Sequence, residues 1–175
     1  MKQKSFAKMP CSVARAVEAI GDGWSMLVIR DLFYGAGRFE DLLEHTGIAR
    51  NILASRLRKL VESGVVEKYV SSDGGKRQKY RLTDKGLDLF PVLIALMQWG
   101  DRWETGAQGP TLRMVDRERG AEVATIDVRD AQGQSVGPQD VLVQPGPGAT
   151  RAIHKRFDKV FAEGLAHNHS EERTA

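Results

Sequence analysis

Apolar residues in the first third of the chain recur at the three-to-four-residue spacing of helices and are punctuated by glycine-rich turns. In the clearest stretch Leu53, Leu57 and Leu60 share one face, and Gly64 follows where a glycine that ends a helix is expected. The predicted helices lie at residues 12–34, 39–45 and 49–63, and the first is interrupted by the Gly-Asp-Gly at 21–23. This pattern predicts short amphipathic helices around one apolar core.

Alternation replaces helical spacing directly after this region. Residues 65–70 alternate, a glycine-rich stretch follows at 71–75, and Tyr80, Arg81 and Leu82 return in strand-like order. Two strands joined by a short glycine-rich tip are typical of a β-hairpin. The sequence therefore predicts an antiparallel hairpin after the last of the three helical stretches.

A long helix is predicted next, from Thr83, which has the side chain of a helix cap, to about Trp103. Pro91 lies inside this stretch and is expected to bend it near Leu87. Apolar residues occupy two faces of the predicted helix, although one face suffices to cover a local core. The surplus predicts a twofold mate, with cover by residues 110–165 as the alternative. The two faces comprise Leu87, Phe90, Ile94 and Met97 on one side and Leu89, Leu93, Leu96 and Trp103 on the other.

The character of the chain changes again after the glycine-rich segment at 106–110. Short strands are predicted at 121–128 and 141–144, around turn residues at 131–133, and a final amphipathic helix at about 149–165. We therefore expect an α+β fold that is mostly helical and ends in an extension made of a small β-hairpin and a helix. The predicted organisation is a domain at residues 1–108, an extension at 109–165 and a polar tail at 166–175.

Composition narrows the class of protein. Of 175 residues, 41% are hydrophobic and 28% are charged, which is the mix of a globular domain. The longest apolar run, residues 91–97, is far shorter than the ~20 residues of a membrane span, and no secretory signal is evident. Cys11 is the single cysteine, which excludes an intrachain disulfide and an all-cysteine zinc site. We expect a cytoplasmic protein without a membrane partner.

Motifs of the familiar enzyme classes are absent from the sequence. It contains no glycine-rich dinucleotide or phosphate-binding loop, no nucleophile elbow and no metal-binding pair. His167 and His169 lie in a polar tail without further ligands, which favours a solvated tail over a metal site. We therefore predict that the protein is not an enzyme and holds neither a cofactor nor a metal.

Positive charge is concentrated in one part of the chain. Residues 49–81 contain nine basic and three acidic residues, a net charge of +6, whereas the whole chain carries +3 and the remainder therefore −3. Such a local excess is the electrostatic footprint of a nucleic-acid surface. A solvated basic helix face would give the same count, so the two interpretations are distinguished by where the charges lie on the predicted elements.

The predicted 49–63 helix presents a polar face opposite its leucines. At ~100° per residue, Asn51, Ser55 and Arg58 face away from the core. Such side chains can hydrogen-bond base edges, and base contacts specify a DNA sequence. The basic residues around this face are Arg56 and Lys59 at its flanks and Arg50 at the first turn. The helix thus has the properties of a recognition helix.

The neighbouring elements support this interpretation. The helix at 39–45 would support the recognition helix across a short turn, as in a helix-turn-helix. The hairpin tip combines Gly74 and Gly75, which allow close approach to a backbone, with three cations suited to phosphates or a narrow minor groove. These cations are Lys76, Arg77 and Lys79. The pattern indicates a winged helix-turn-helix, and a protein-interaction module on the same scaffold is the alternative.

A series of short motifs, in order over residues 11–103, carries a family resemblance. They include Cys11-Ser12-Val13, Gly23-Trp24, Arg38-Phe39-Glu40-Asp41-Leu42, Gly64-Val65-Val66 and Tyr80-Arg81-Leu82-Thr83. Taken together, they make the chain similar to the HxlR-type transcriptional regulators, which are bacterial winged-helix proteins close to the MarR type. Two positions depart from the family pattern. Ala49 stands where a capping serine is usual, and Ser12 follows Cys11 where proline is usual.

The resemblance implies a cytoplasmic homodimer that binds double-stranded operator DNA through two recognition helices, most often as a repressor. It places Arg50, Asn51, Ser55 and Arg56 at or near the DNA. It likewise places the wing cations Lys76, Arg77 and Lys79 there.

The regulatory signal is less defined. In part of this family a cysteine at the place of Cys11 senses oxidants or electrophiles, and a small buried residue is the alternative. A small-molecule effector is the other expected signal. Trp24, Trp99 and Trp103 are expected in the core or an interface, where they could line an effector pocket. The operator, the effector, the role of the extension and the direction of regulation stay open.

Overall fold

The computed structural model describes residues 5–70 and 78–162. The helices in that part of the chain are α1 (Ser12–Ile20), α2 (Gly23–Phe33), α3 (Phe39–Thr46), α4 (Arg50–Glu62), α5 (Asp84–Leu87), α6 (Phe90–Trp103) and α7 (Arg151–Ala162), with a 3₁₀ turn at Pro138–Asp140. The strands β1 (Val66–Val70) and β2 (Gln78–Leu82) lie between α4 and α5. The chain divides into two compact units, residues 1–126 and 127–175.

The core of the first unit lies where α2, α3 and α4 meet the start of β1. Leu53, Leu57 and Leu60 are at most 1% exposed, which confirms the leucine face predicted for α4. They pack with Val28 and Ile29 of α2 in the same cluster. Full burial of one such side chain is worth about 1.5–3 kcal/mol, so this cluster fixes how the helices pack.

Two glycine turns set the angles between the helices. Gly21 has a φ of +105°, a backbone conformation that favours glycine, and it separates α1 from α2 at the predicted interruption. Gly47 has a φ of +65° and ends α3. Only Gly47, the buried Ile48 and Ala49 then separate α3 from α4, which is the connection of a helix-turn-helix.

The predicted hairpin is confirmed. Strands β1 and β2 pair antiparallel, from Val66 opposite Leu82 to Val70 opposite Gln78. The backbone N–H of Tyr80 donates to the carbonyl of Gly37 at 2.7 Å, which ties β2 to the loop before α3. The expected tip cations Lys76 and Arg77 lie outside the described residues.

The single long helix expected from Thr83 to Trp103 is wrong. Thr83 caps only the short α5, where its hydroxyl accepts from the N–H of Gly86, and α6 begins at Phe90. Pro91 lies in the first turn of α6, where its missing N–H leaves no helical hydrogen bond unmade. The proline therefore starts a new helix instead of bending an existing one.

The strands expected at 121–128 and 141–144 are also wrong for the described part of the chain. Between residues 111 and 162, which the structure describes, the β pairing consists of two isolated antiparallel bridges, Val115 with Glu122 and Arg129 with Ser135. Residues 121–128 and 141–144 are exposed throughout, so apolar alternation there does not correspond to a buried sheet face. The final helix α7 is present, as predicted, and begins at Arg151.

The first compact unit extends beyond residue 108, where the sequence suggested that a domain ends. The side-chain amide of Gln98 on α6 donates to the carbonyl of Ala124 at 3.0 Å and accepts from the N–H of Ile126 at 2.8 Å. This amide pairs with the backbone as a neighbouring strand would. The segment up to Ile126 is therefore held on α6, and the division between the units follows it.

Candidate nucleic-acid interface

The outer face of α4 consists of polar, exposed side chains. Asn51, Ser55 and Arg58 are exposed, and their side chains make no hydrogen bond or ion pair with any residue that the structure describes. They lie opposite the buried leucine face of the same helix. These three residues, which we call the reading face, offer amide, hydroxyl and guanidinium groups to a partner. Helical spacing predicts that the three share one face, and in the structure they lie together on the exposed side of α4.

Arg50 is held at one edge of the reading face. Its guanidinium lies 5.2 Å from the ring centroid of Phe39 and 4.0 Å from a carboxylate oxygen of Glu40. Both side chains of the Arg50–Glu40 pair are about two-thirds exposed, so the pair itself contributes little to stability. The pair and the contact with Phe39 hold the guanidinium of Arg50 beside the start of α4. Ala49 at that start supplies no side-chain cap, as predicted.

Arg56 does not join the reading face. Its Nε donates to Oδ1 of Asp22 at 2.9 Å, and a terminal nitrogen contacts Oδ2 of the same carboxylate. Asp22 also caps α2 by accepting from the N–H of Ser25. The family resemblance implied that Arg56 lies at or near the DNA, whereas the structure directs its guanidinium towards the start of α2. Spacing alone could not reveal this pairing, because the partner lies 34 residues away.

The carboxylates near this side of α4 have shifted pKa values. Burial would raise the pKa of Asp22, but hydrogen bonds from Ser25 and Arg56 outweigh it, and the pKa lies below its ordinary value. The pKa of Glu18 is lowered mainly by the hydrogen bond from the N–H of Phe6, with smaller contributions from Ser5 and from the charge of Lys59. Both carboxylates are therefore ionised at neutral pH.

Lys59 faces α1 and the end of α4 instead of the reading face. It lines an open cleft with Arg15 and Glu18 of α1 and with Lys85, whose ammonium donates to the carbonyl of Ser63 at 2.6 Å. Both cations and carboxylates line this cleft, so it does not form a single-sign anion site. Lys59 therefore lies beside the reading face and is not part of it.

The wing strands carry cations that the site prediction did not name. Lys68 lies 5.9 Å from the ring centroid of Tyr80, and Arg81 lies 4.9 Å from that of Tyr69 while it pairs with Glu67 at 2.7 Å. Strand alternation would have placed Lys68 on the exposed side of β1. Of the three predicted wing cations, Lys79 alone lies among the described residues. It is half-buried in β2.

A groove joins the wing to the helix-turn-helix. It is lined by Phe39 and Glu40 of α3, Arg50 of α4, and Gln78 and Tyr80 of β2. Burial, helped by the charge of Glu40, raises the pKa of the Tyr80 hydroxyl, which is therefore neutral and able to donate at neutral pH. The groove therefore runs from Arg50 at the start of α4 to strand β2 of the hairpin.

The remaining sequence candidates lie away from this surface. Cys11 is exposed at the N-cap position of α1, so it is not the small buried residue considered as its alternative. Trp24, Trp99 and Trp103 are 43%, 54% and 63% exposed, so they do not belong to the core of the single chain. Among the described residues no three metal-ligating side chains cluster. In the same part of the chain no helix is long and apolar enough to cross a membrane.

Comparison with known proteins places this geometry among DNA-binding regulators. A family model described as HxlR-like helix-turn-helix matches residues 19–108, about half of the chain. The HTH-type transcriptional regulator Rv3095 of Mycobacterium tuberculosis is 37% identical over 137 residues, which are 78% of this chain and 87% of that protein. The HTH-type transcriptional regulator YodB of Bacillus subtilis is 32% identical over 89 residues, 50% of this chain and 80% of that protein.

Two solved structures are similar beyond the part that the family model matches. PA1607, described as a candidate transcription factor, has a TM-score of 0.75 and 43% identity, and the match covers 81% of this chain and 99% of that one. PA1374 of Pseudomonas aeruginosa, described likewise, has a TM-score of 0.57 and 36% identity over 83% and 99%. The similarity therefore includes much of the C-terminal extension as well as the helix-turn-helix.

Proposed function

The chain belongs to the HxlR-like helix-turn-helix family of transcriptional regulators, and from this premise we propose that it is a cytoplasmic homodimeric repressor that reads operator DNA with α4. One observation carries the proposal. The side chains of the reading face are exposed and make no hydrogen bond or ion pair with any described residue, whereas the leucines on the opposite face of the same helix are buried. A helix packed through its leucines and exposed at its polar face has what sequence recognition in a major groove requires.

The residues of the interface divide into two roles in this proposal. Asn51, Ser55 and Arg58 contact base edges, for which an amide suits adenine and a guanidinium suits guanine. Arg50 at the start of α4 contacts the phosphate backbone, which positions the helix without reading sequence. The wing cations Lys76, Arg77 and Lys79 contact the neighbouring phosphate backbone of the DNA, and Lys68 on β1 contacts it as well.

The apolar surface of α6 supports the dimer. Val92, Leu96, Trp99 and Trp103 are each at least half exposed in the single chain. Large contiguous apolar surface of this kind is typical of an interaction site, and a twofold mate is the simplest partner. In a dimer the two α4 helices would enter successive major grooves about 34 Å apart.

Two signals fit the exposed residues. Modification of the Cys11 thiol is one, and a small molecule at the exposed tryptophans is the other. Either would act by changing the separation of the two α4 helices. Because Cys11 is the single cysteine, a disulfide would have to join two subunits or add a small thiol, and non-reducing electrophoresis with intact mass separates these products.

The experiment that tests the proposal is selection of bound DNA. Purified protein is incubated with a random duplex library at ~150 mM salt, and the retained DNA is sequenced. We expect a motif of two inverted half-sites one helical turn apart, bound at least about 10³-fold more tightly than random duplex. The combined variant Asn51→Ala/Ser55→Ala should lose the base preferences while it retains most non-specific binding. A library without any enriched motif would refute the proposal.

A further inference from the structure

We propose that Arg56 is a positioning residue, which sets the orientation of α4 through Asp22 and does not itself contact DNA. The inference rests on the proposed function of α4 as the helix that reads DNA. It assigns a different role to a residue that the family resemblance places at or near the DNA, and it adds Asp22 to the residues on which recognition depends.

The contact between the two side chains is a two-point pair. Nε of Arg56 donates to Oδ1 of Asp22 at 2.9 Å, and the terminal nitrogen contacts Oδ2. The planar guanidinium presents two donors in the spacing of a carboxylate, so the pair fixes direction as well as distance. Both side chains are about three-quarters buried, which shields the pair from water more than a surface ion pair.

Asp22 is itself fixed by the core. Its Oδ1 accepts from both the N–H and the hydroxyl of Ser25, at 3.1 and 3.2 Å, and Ser25 is completely buried. The carboxylate is therefore anchored to the first turn of α2 by contacts that do not involve Arg56. Because the guanidinium of Arg56 is held by this carboxylate and its backbone is part of α4, the pair links α4 to the start of α2.

The turn that carries Asp22 lies close to α4. A Cβ at Gly21 would lie 2.7 Å from the Ser25 hydroxyl and 3.9 Å from the Lys59 side chain on α4. On the leucine side the helix is held by apolar contacts, which are non-directional, whereas a two-point ion pair has a defined direction. The Arg56–Asp22 pair lies off that side and opposes rotation about the helix axis.

Rotation is the motion that matters for reading DNA. Asn51, Ser55 and Arg58 extend from the far side of α4, so a small rotation displaces their polar ends relative to base edges. A good two-point contact to a base is worth about 1–3 kcal/mol of discrimination, and it depends on alignment. Loss of the pair is therefore expected to weaken specific binding more than non-specific binding.

Opposite charge changes provide a sharp test. Arg56→Gln removes a positive charge and Asp22→Ser removes a negative one, and serine retains the ability to cap α2. If Arg56 acts by charge on the phosphates, the first variant binds DNA more weakly and the second more tightly. If it acts through Asp22, both variants weaken specific binding to a similar degree.

The experiment measures affinity for the duplex enriched by the unsubstituted protein and for a random duplex, each over a range of salt. Arg58→Gln serves as the matched control, because it removes the same charge from the reading face of the same helix. Circular dichroism confirms that each variant is folded at the temperature used. Arg56→Lys retains the charge but cannot form the two-point pair, so it tests the geometry even if Arg56→Gln unfolds.

We expect Arg56→Gln, Arg56→Lys and Asp22→Ser each to lose on the order of tenfold in the ratio of specific to non-specific affinity. The double variant Asp22→Ser/Arg56→Gln should lose no more than either single one, because both remove one interaction. The slope of log affinity against log salt concentration should be the same in Arg56→Gln as in the unsubstituted protein. Normal specificity in Asp22→Ser, together with a slope lowered by about 0.9 in Arg56→Gln, would overturn the inference. Failure of the unsubstituted protein to enrich any duplex would instead refute the proposed function itself, and the inference with it.

Discussion

Gly86 provides the most direct test of the packing between the hairpin and the helix that follows it. The residue is buried in α5, and a Cβ added there would lie 2.3 Å from the backbone carbonyl oxygen of Val65 and 3.0–3.1 Å from the Leu82 side chain. Real Cβ atoms essentially never come closer than 3.0 Å. The obstructing atom is backbone, and it also accepts from Thr83, so it cannot move alone.

Two opposing effects decide the result of Gly86→Ala. Alanine favours a helix over glycine by about 1 kcal/mol. Forcing an extra carbon into a packed site costs about 1–3 kcal/mol, and displacement of a hydrogen-bonded carbonyl places this case at the upper end. We therefore expect a net loss of about 2 kcal/mol in the free energy of unfolding.

Urea denaturation followed by circular dichroism measures this loss through the midpoint at constant slope. Gly100→Ala is the matched control, because Gly100 lies within α6 and a Cβ there meets nothing within 4 Å. That variant should gain up to about 1 kcal/mol from helix propensity. If Gly86→Ala were as stable as the unsubstituted protein, the contact between α5 and Val65 would not be as described.

Three further outcomes are expected. Leu57→Ala should lose about 2–5 kcal/mol in urea denaturation, because Leu57 is 1% exposed in the central cluster, and a loss below 1 kcal/mol would contradict that placement. The lowered pKa of Asp22 stabilises the folded state above the unfolded pKa near 3.8, and this contribution disappears as pH falls through the folded pKa. The stability difference from Asp22→Asn should therefore shrink between about pH 6 and 3, and a difference that grows would contradict it. If the proposed dimer forms through α6, Leu96→Glu should shift sedimentation from dimer towards monomer while the exposed Val70→Glu does not, and equal effects would count against the proposed α6 interface.

Periodicity predicted much of the fold because most elements of the first unit are amphipathic. The leucine face of α4, the glycine break before Asp22 and the hairpin pairing all follow from local spacing and from turn residues. Pro91 shows the limit of such reasoning. A proline is compatible with a kink and with a new first turn, and the spacing of apolar residues does not distinguish the two. In the structure α6 begins at Phe90, whose ring centroid lies 5.6 Å from that of Phe33.

The C-terminal region shows a different limit. Apolar alternation at 121–128 predicted a strand, but a strand needs a partner edge that the sequence of the segment does not supply. In the structure the amide of Gln98 takes the place of such an edge for Ala124 and Ile126. A single side chain from a helix more than 20 residues away leaves no periodic signal.

Helical spacing was enough to predict which residues form α4, which of its faces is buried and that Asn51, Ser55 and Arg58 point away from the core, because these depend only on helical geometry and burial of apolar area. The surroundings of the cations beside them depend on the tertiary structure. Arg56 pairs with Asp22, Arg50 lies against the ring of Phe39, and Lys59 faces α1. An ion pair depends on the distance between two side chains in space, and residues 34 positions apart become neighbours only when the core has folded.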